Sequence, residues 1–353
     1  MMRAALCSFF LVTGSVALAE VPATSPDTPF QLATFDTGGE PQIGLVIDEM
    51  VLDVQGANAD LMVSESVGAL HIPGEMRELI ETYEGTKSRL YQLANYYAEA
   101  SPESQPFIYD KSEVNFNAPI KYPYNLLAVA ANYQDHSAEM ARAFGNPDPQ
   151  PVDPDRRSPV LFAKSPRSTI IDPGSPFPIP PTTKVFDYEN ELALVISKPA
   201  TRLNLENARD YIFGYTIMFD VSSRDNPNEP DEEEEGGFNF GVSWFEAKSR
   251  DNAAPMGPVI TPIEFIGDAA NLRIITRVNG VTKQDGNSKD MIHNEAYLLR
   301  HATSILTLYP GDVVATGTPA GVGSAKRPPE FLAPGDEVEM TIEGIGTFTT
   351  PIE

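Results

Sequence analysis

The chain is poor in cysteine and in basic residues, and each shortage excludes a class of function. Its one cysteine, Cys7, lies in an apolar N-terminal segment, so no disulfide or thiolate metal site is expected in the remainder. Lys and Arg number 25 against 50 Asp and Glu, which gives a formal net charge of -25. This charge repels nucleic acid phosphates and anionic lipid, so neither is an expected partner. A small anionic substrate is still compatible, because a bound cation can reverse the local sign.

The first 19 residues have the pattern of a cleaved secretory signal peptide. Arg3 gives a positive start, residues 4–18 are mostly small and apolar, and Ala17 and Ala19 stand where signal peptidase reads small residues. The apolar run is too short to span a bilayer. We therefore expect cleavage after Ala19, no membrane anchor, and an exported protein that is periplasmic or secreted. The alternative is a buried N-terminal helix.

The next part of the chain predicts a small α+β domain over residues 30–115. It follows a loose, Pro- and Thr-rich segment at residues 20–29, and its boundary is expected between residues 101 and 120. Apolar residues at helical spacing in residues 76–100 predict one or two helices. Short apolar runs predict an antiparallel meander at residues 30–35, 43–47 and 50–54.

Residues 120–353 predict a larger, β-rich catalytic domain. Helices are expected to start near Gln134 and to cover residues 294–307. Strands are expected at residues 126–130, 192–197, 211–219, 272–278, 313–316, 337–342 and 347–350. The resulting fold class is α+β and β-rich, a mixed β-sandwich roll or barrel rather than a doubly wound sheet. Residues 255–258 (Pro-Met-Gly-Pro) predict a turn, and the acidic residues 229–235 predict a solvated loop.

Four carboxylates indicate a metal site. Side chains alternate along a strand, so Asp187, Glu189 and Glu191 are expected on one face. Asp220 ends an apolar strand, where an acid is costly unless it is paired or binds a cation. Oxygen ligands suit Mg²⁺, Mn²⁺ or Ca²⁺. The alternatives are a solvent-facing acidic edge and an aspartate that starts a turn.

Other side chains could support catalysis beside such an ion. His136 and Glu139 lie three apart on a predicted helix, where the carboxylate would fix the imidazole tautomer and raise its basicity. Lys248 could stabilise an oxyanion, and Arg224 could grip a substrate carboxylate. The glycine-rich loop at 316–323 offers backbone NH groups and hydroxyls, but lacks the lysine and spacing of a P-loop. The alternatives are a surface His–Glu pair and an ordinary Arg224 salt bridge.

Eight motifs, taken together and in order, resemble the fumarylacetoacetate hydrolase family over residues 126–343. The motifs are AANYQDHSAE (130–139), PVLFAKSP (159–166), DYENELALVI (187–196), GYTIMFDVSSRD (214–225), Lys248 with PMGP (255–258), VNGVTKQDGNSKDMI (278–292), YPGDVVATGTPAGVG (309–323) and PGDEVEMTIEGIGTF (334–348). The chain departs from the family pattern at Ala131, where glycine is typical, at Pro227, where glutamine is frequent, and at Arg250, where an aromatic is usual.

The resemblance implies a mixed β-sandwich roll, a homodimer, and a small 2-oxo acid substrate. It implies that Mg²⁺ or a similar ion is held by Glu189, Glu191 and Asp220. It implies the following roles for other residues: His136 and Glu139 activate water, Lys248 contacts the oxyanion, and Arg224, Tyr133, Thr316 and Thr318 bind substrate.

The expected reaction is cleavage of a C–C bond in a 2,4-dioxo acid, of the acylpyruvate or fumarylacetoacetate kind, through a metal-stabilised enolate. The same residues would serve a decarboxylase, an isomerase or a hydratase of a related 2-oxo acid. A non-catalytic exported protein that captures 2-oxo acids is an alternative of a different class.

Overall fold

The computed structural model describes residues 22–65, 67–181, 185–224 and 244–353. Its strands are β1 (Gln31–Asp36), β2 (Gln42–Ile47), β3 (Met50–Asp53), β4 (Ile108–Asp110), β5 (Asn115–Asn117), β6 (Leu126–Ala130), β7 (Val160–Ala163), β8 (Ile170–Ile171), β9 (Phe186–Asp187), β10 (Asn190–Ile196), β11 (Ile212–Phe219), β12 (Ser222–Ser223), β13 (Ala254–Pro262), β14 (Arg273–Val278), β15 (Val281–Asn287), β16 (Val313–Ala315), β17 (Glu337–Ile342) and β18 (Gly346–Pro351). Its α-helices are α1 (Val54–Ser64), α2 (Met76–Glu81), α3 (Tyr83–Tyr97), α4 (Gln134–Ala143), α5 (Pro166–Thr169), α6 (Trp244–Lys248) and α7 (Glu295–Ile305).

A large mixed sheet organises the described part of the chain. Its strands run in the order β4-β3-β2-β1-β13-β11-β10-β16-β6-β7, with β5 on β1 and β8 on β13. The predicted meander is confirmed, because β1, β2 and β3 pair antiparallel. Leu32 of β1 also pairs with Ile260 of β13, so the N-terminal meander continues the sheet that carries β10 and β11.

The two faces of this sheet are buried by different partners. Along β10, Leu192 and Leu194 join a core that includes Ile274 of β14 and Met340 of β17. Their neighbour Ala193 joins the other core, together with residues of α1, α2 and α3. This alternation is the one that a strand covered on both sides requires. A four-stranded antiparallel sheet, in the order β15-β14-β17-β18, covers the first face. The predicted β-rich sandwich is therefore confirmed.

One local prediction is wrong, and one helix was not predicted. Residues 255–258 form part of β13, a fully buried strand, and not a turn. Prolines are tolerated there because the register with β11 shifts between Tyr215 and Ile217, which interrupts the regular ladder. Helix α1 was not expected, although Asp53 caps it by accepting hydrogen bonds from the backbone NH groups of Gln55 and Gly56.

The predicted domain boundary between residues 101 and 120 stays a prediction. Strands β4 and β5 of this region both pair within the large sheet. The part of the predicted loose segment that is described, residues 22–29, lacks helix and strand but contacts α3. The Asn95 side chain of α3 accepts a hydrogen bond from the Thr28 backbone NH and donates to the carbonyls of Ala23 and Ser25.

None of the described helices is long and apolar enough to cross a membrane. Residues 1–19 and the acidic loop 229–235 lie outside the described residues.

Candidate metal and acid–base site

Three carboxylates meet where β10 begins and β11 ends. Glu191 belongs to β10, Glu189 precedes it, and Asp220 follows β11. The antiparallel register pairs Asn190 with Phe219, and the Asp220 NH donates to the Glu189 carbonyl at 2.9 Å. One carboxylate oxygen from each residue lies within 4.8 Å of the other two, and all three side chains are buried. The sheet register alone therefore brings the three acids together.

Glu189 and Asp220 form ion pairs with the protein's own cations, whereas no ion pair of Glu191 is present in the described part of the chain. Burial raises the pKa of Glu191, and the nearby Asp220 and Glu189 raise it further. Burial also opposes ionisation of Glu189, but Lys248 and Arg224 outweigh it and lower the pKa of that carboxyl. Like charges this close favour an added cation. The donors are all carboxylate oxygens, so the set fits a hard divalent ion such as Mg²⁺ or Mn²⁺.

Lys248, at the end of α6, binds the cluster from one side. Its Nζ donates to Glu189 Oε2 at 2.8 Å, to Asp220 Oδ2 at 2.7 Å and to the Ser222 hydroxyl. Burial disfavours the ammonium, but Asp220 and Glu189 outweigh this and raise the pKa of Lys248. The side chain is therefore a protonated donor beside the candidate metal position.

Lys164 binds the cluster from the other side and was missed in the sequence. Its Nζ donates to Asp220 Oδ1 and, at 3.3 Å, to the Val221 carbonyl, and the side chain is fully buried. Burial lowers the pKa of Lys164, while Asp220 acts in the opposite direction. A signal was present, because Lys164 follows the strand Val160–Ala163 just as Asp220 follows β11. A charged residue at the end of such a strand needs a partner.

Asp187 and Arg224 form a second buried pair beside the three acids. The Arg224 guanidinium donates to Asp187 Oδ2, from Nε at 3.2 Å and from an NH₂ group at 3.0 Å, and also binds Glu189. Asp187 accepts the backbone NH groups of Gly323 and Ser324 as well. Asp187 thus contacts Arg224 and the glycine-rich loop, and Arg224 forms the ion pair that was the alternative to substrate binding.

The His136–Glu139 pair lies on α4. His136 Nδ1 is 2.8 Å from Glu139 Oε1, and the Glu139 carboxylate also accepts the Gly321 backbone NH at 2.9 and 3.1 Å. With the carboxylate accepting from Nδ1–H, the neutral imidazole has its lone pair on Nε2. The pair therefore has the arrangement of an oriented general base.

A small cavity of about 90 Å³ joins these groups. It is lined by Val129, Ala130, Ala131, His136, Met140, Phe162, Glu189, Glu191, Arg224, Trp244, Lys248 and Thr318. Glu139 and Asp220 lie behind this lining, each bonded to a residue that belongs to it. Tyr133 and Thr316, which were expected to bind substrate, have no exposed surface and do not line the cavity. Thr318 does line it, so the structure brings this one of the two predicted threonines to the site.

Comparison with known proteins agrees with this architecture. The profile of the family described as fumarylacetoacetate (FAA) hydrolase C-terminal matches residues 125–353. The chain belongs to the fumarylacetoacetate hydrolase family. Among curated relatives, oxaloacetate tautomerase YisK of Bacillus subtilis is 35% identical over 88% of this chain and 95% of that protein. Mitochondrial oxaloacetate tautomerase fahd2 of Xenopus laevis is 32% identical over 93% of this chain and 92% of that protein.

Solved structures of the fumarylacetoacetate hydrolase family share the fold. The enzyme of Exiguobacterium antarcticum named fumarylacetoacetate hydrolase superposes with a TM-score of 0.68 at 30% identity, over 92% of this chain and 99% of that one. Maleylpyruvate hydrolase of Sphingobium sp. SYK-6, solved with manganese(II) and pyruvate, superposes with a TM-score of 0.64 at 24% identity, over 91% and 98%. At that identity the second likeness shows the fold alone.

The predicted export is wrong. The Xenopus laevis relative, which aligns with 93% of this chain, is named as a mitochondrial protein, and this contradicts a periplasmic or secreted location. The pattern at residues 1–19 suggested a signal peptide because it combines a basic start, an apolar run and small residues, features that are weakly specific. These residues lie outside the described part of the chain, so no structural observation supports the signal.

Proposed function

We propose that this chain is a metal-dependent tautomerase that interconverts the keto and enol forms of a small 2-oxo acid. The observation that carries the proposal is the convergence of Glu189, Glu191 and Asp220, with their oxygens within 4.8 Å, beside a cavity that Lys248 and His136 also line. The two oxaloacetate tautomerases, at 35% and 32% identity, support this reaction over the predicted hydrolysis.

The three carboxylates would hold Mn²⁺ or Mg²⁺, which supplies positive charge next to the substrate carbonyl oxygen. Arg224 lies on the cavity wall and would contact the substrate carboxylate. Lys248, held as an ammonium, would donate a hydrogen bond to the oxygen on which negative charge develops. These contacts orient the acid so that the carbon next to the carbonyl faces His136.

The chain's own acid–base groups then account for the proton balance. His136 Nε2 would remove a proton from the carbon next to the carbonyl, and the electron pair of that C–H bond would move to form the enol C=C bond. His136 would then pass this proton to water and the carbonyl oxygen would take up one from water, so the product has the same atoms as the substrate and His136 returns to its starting form. Glu139 would stabilise the imidazolium of His136 through the 2.8 Å contact at Nδ1.

The test is the rate of ketonisation of enol-oxaloacetate, followed by ultraviolet absorbance, with metal-free protein, with added Mn²⁺ and with added Mg²⁺. We expect a rate above the uncatalysed one only with a metal, and loss of that rate on addition of a chelator. Full activity in the presence of excess chelator would refute the proposal.

The C–C hydrolase is the second candidate, and the His136–Glu139 pair is the observation that favours it. A base oriented by a carboxylate, which is itself fixed by the Gly321 NH, can activate water as well as abstract a proton from carbon. Proton NMR separates the two reactions. A tautomerase leaves a 2,4-dioxo acid intact and exchanges its C3 protons with solvent deuterium, whereas a hydrolase releases pyruvate and a second acid.

The predicted homodimer stays a prediction, which sedimentation of the purified chain would check.

A further inference from the structure

The cavity lining combines charged and apolar side chains. The charged groups are those already described. The apolar wall comes from four elements and one loop, namely Val129, Ala130, Ala131, Met140, Phe162 and Trp244. A substrate held by the charged groups would therefore have its remaining atoms next to this apolar wall.

The apolar wall contains two stacked aromatic rings, one of which contacts Lys248. The rings of Phe162 and Trp244 are 5.1 Å apart between centroids, with an interplanar angle of 20°. Lys248 Nζ is 4.9 Å from the centroid of the Phe162 ring. A flat group attached to the carbon beside the carbonyl would lie along this aromatic surface, where offset stacking is favourable.

A second substrate carboxylate has no cationic partner among the described residues that line the cavity. The permanent cations of this lining are Arg224 and Lys248, and the proposed mechanism assigns them to the first carboxylate and to the carbonyl oxygen. A carboxylate buried against apolar side chains without a partner is strongly disfavoured.

We infer that the site prefers 2-oxo acids that carry a planar apolar substituent, such as an aryl group, over dicarboxylic 2-oxo acids such as oxaloacetate. This inference rests on the proposed function, because it assigns the substrate class of the same site. Phe162 and Trp244 determine the specificity, since their rings form the surface on which the substituent lies.

Kinetics test the preference. Enol–keto conversion of phenylpyruvate and of oxaloacetate is measured on the Mn²⁺-loaded protein. We expect kcat/KM for phenylpyruvate to be at least tenfold higher, and Phe162→Ala or Trp244→Leu to lower it about tenfold more than they lower the oxaloacetate value. Phe245→Ala is the matched control, because Phe245 is adjacent to Trp244 in α6, is 62% exposed and does not line the cavity. A preference for oxaloacetate, or an equal loss for both substrates, would overturn the inference.

Binding decides the inference independently of turnover. Trp244 is the one tryptophan of the chain, so its fluorescence reports directly on the cavity wall. Titration of the Mn²⁺-loaded protein with 3-phenyllactate and with malate is expected to give at least tenfold tighter binding of 3-phenyllactate, and Phe162→Ala is expected to remove most of the difference. Tighter binding of malate would overturn the preference. Absence of turnover of both 2-oxo acids, with the binding preference intact, would instead refute the proposed tautomerase.

Discussion

The carboxylate cluster and the His136–Glu139 pair face the same cavity but are held in different ways. The carboxylates lie at the ends of β10 and β11, two fully buried strands in the middle of the large sheet. The pair lies on α4, in which His136 is the one buried residue of ten. Specific hydrogen bonds compensate for this poor burial. The Glu139 carboxylate accepts the Gly321 NH, and the Gln134 side chain exchanges two hydrogen bonds with the backbone of Val152.

This difference suggests a division of labour between a rigid part and a movable part. Elements with few buried apolar contacts open at a lower free energy than the core does. The metal-binding half of the site is therefore preformed by the sheet, whereas the acid–base half depends on whether α4 is in place. Substitutions in the two halves should separate metal binding and stability from proton transfer.

The largest expected effect comes from the metal-binding half of the site, with the substitution Glu191→Gln. Loss of one of three ligands removes several kcal/mol of charge stabilisation, so we expect kcat/KM to fall roughly a thousandfold. Calorimetric titration should show weaker Mn²⁺ binding. The metal-free protein should not lose stability, because burial, Asp220 and Glu189 already raise the pKa of Glu191 and disfavour its charge.

The control for this substitution is Glu330→Gln, which alters an exposed carboxylate that pairs with Lys283 and Lys326. Its kcat/KM should stay within about twofold of the parent, because a surface ion pair has little effect. A metal-free Glu191→Gln protein that unfolds well before the parent would show that Glu191 is a structural residue.

Lys164→Met is expected to lower the free energy of unfolding of the protein by about 3 kcal/mol, because removing the lysine leaves the buried Asp220 charge uncompensated. Chemical denaturation of the metal-free protein measures this change. Added Mn²⁺ should restore part of the stability, because the cation neutralises Asp220 in place of the lost ammonium. Lys283→Met, which breaks an exposed pair with Glu330, should cost less than about 1 kcal/mol. Equal losses for the two variants would contradict the ion-pair argument.

Glu139→Gln tests the helix side. We expect kcat to fall about a hundredfold, because a neutral amide cannot stabilise the imidazolium, with Mn²⁺ affinity unchanged. Glutamine can still accept the Gly321 NH, so hydrogen exchange of α4 should resemble the parent. Glu139→Ala removes that hydrogen bond too, and its α4 amides should exchange faster. Weakened metal binding in Glu139→Gln would show that the two halves are not separable.

The metal-binding half of the site was predictable from the sequence, and the acid–base half only in part. Alternation along one strand and an acid at the end of another identified Glu189, Glu191 and Asp220, because both patterns follow from local geometry. The same alternation placed Asp187 with them. Its contacts with Arg224, Gly323 and Ser324 depend on the return of a distant loop, which no local pattern encodes.

The remaining differences between expectation and structure have similar physical causes. Lys164 was overlooked because the end-of-strand argument was applied to acids and not to lysines. Tyr133 is expected from the family resemblance to bind substrate; in the structure its ring is fully buried, and its backbone bridges to Met291 far along the chain. The strand β13 was hidden by Pro255 and Pro258, which mark a turn in isolation but fit beside a register shift here.

The smallest expected effect comes from Ala131, which joins β6 of the sheet to α4. Its φ of +49° is in the left-handed region, which costs an L-residue about 1–2 kcal/mol and which glycine adopts freely. Ala131→Gly should therefore stabilise the protein by about 0.5 kcal/mol, the remainder being offset by the greater freedom of glycine in the unfolded chain. Ala130→Gly is the matched control, because Ala130 also lines the cavity but belongs to strand β6. This substitution should destabilise the protein by about 0.5–1 kcal/mol. If chemical denaturation shows a higher free energy of unfolding for Ala131→Gly and a lower one for Ala130→Gly, the strain lies at the backbone of residue 131, between β6 and α4. A lower free energy of unfolding for both variants would show that the Ala131 methyl group stabilises the protein by packing more than its backbone conformation destabilises it.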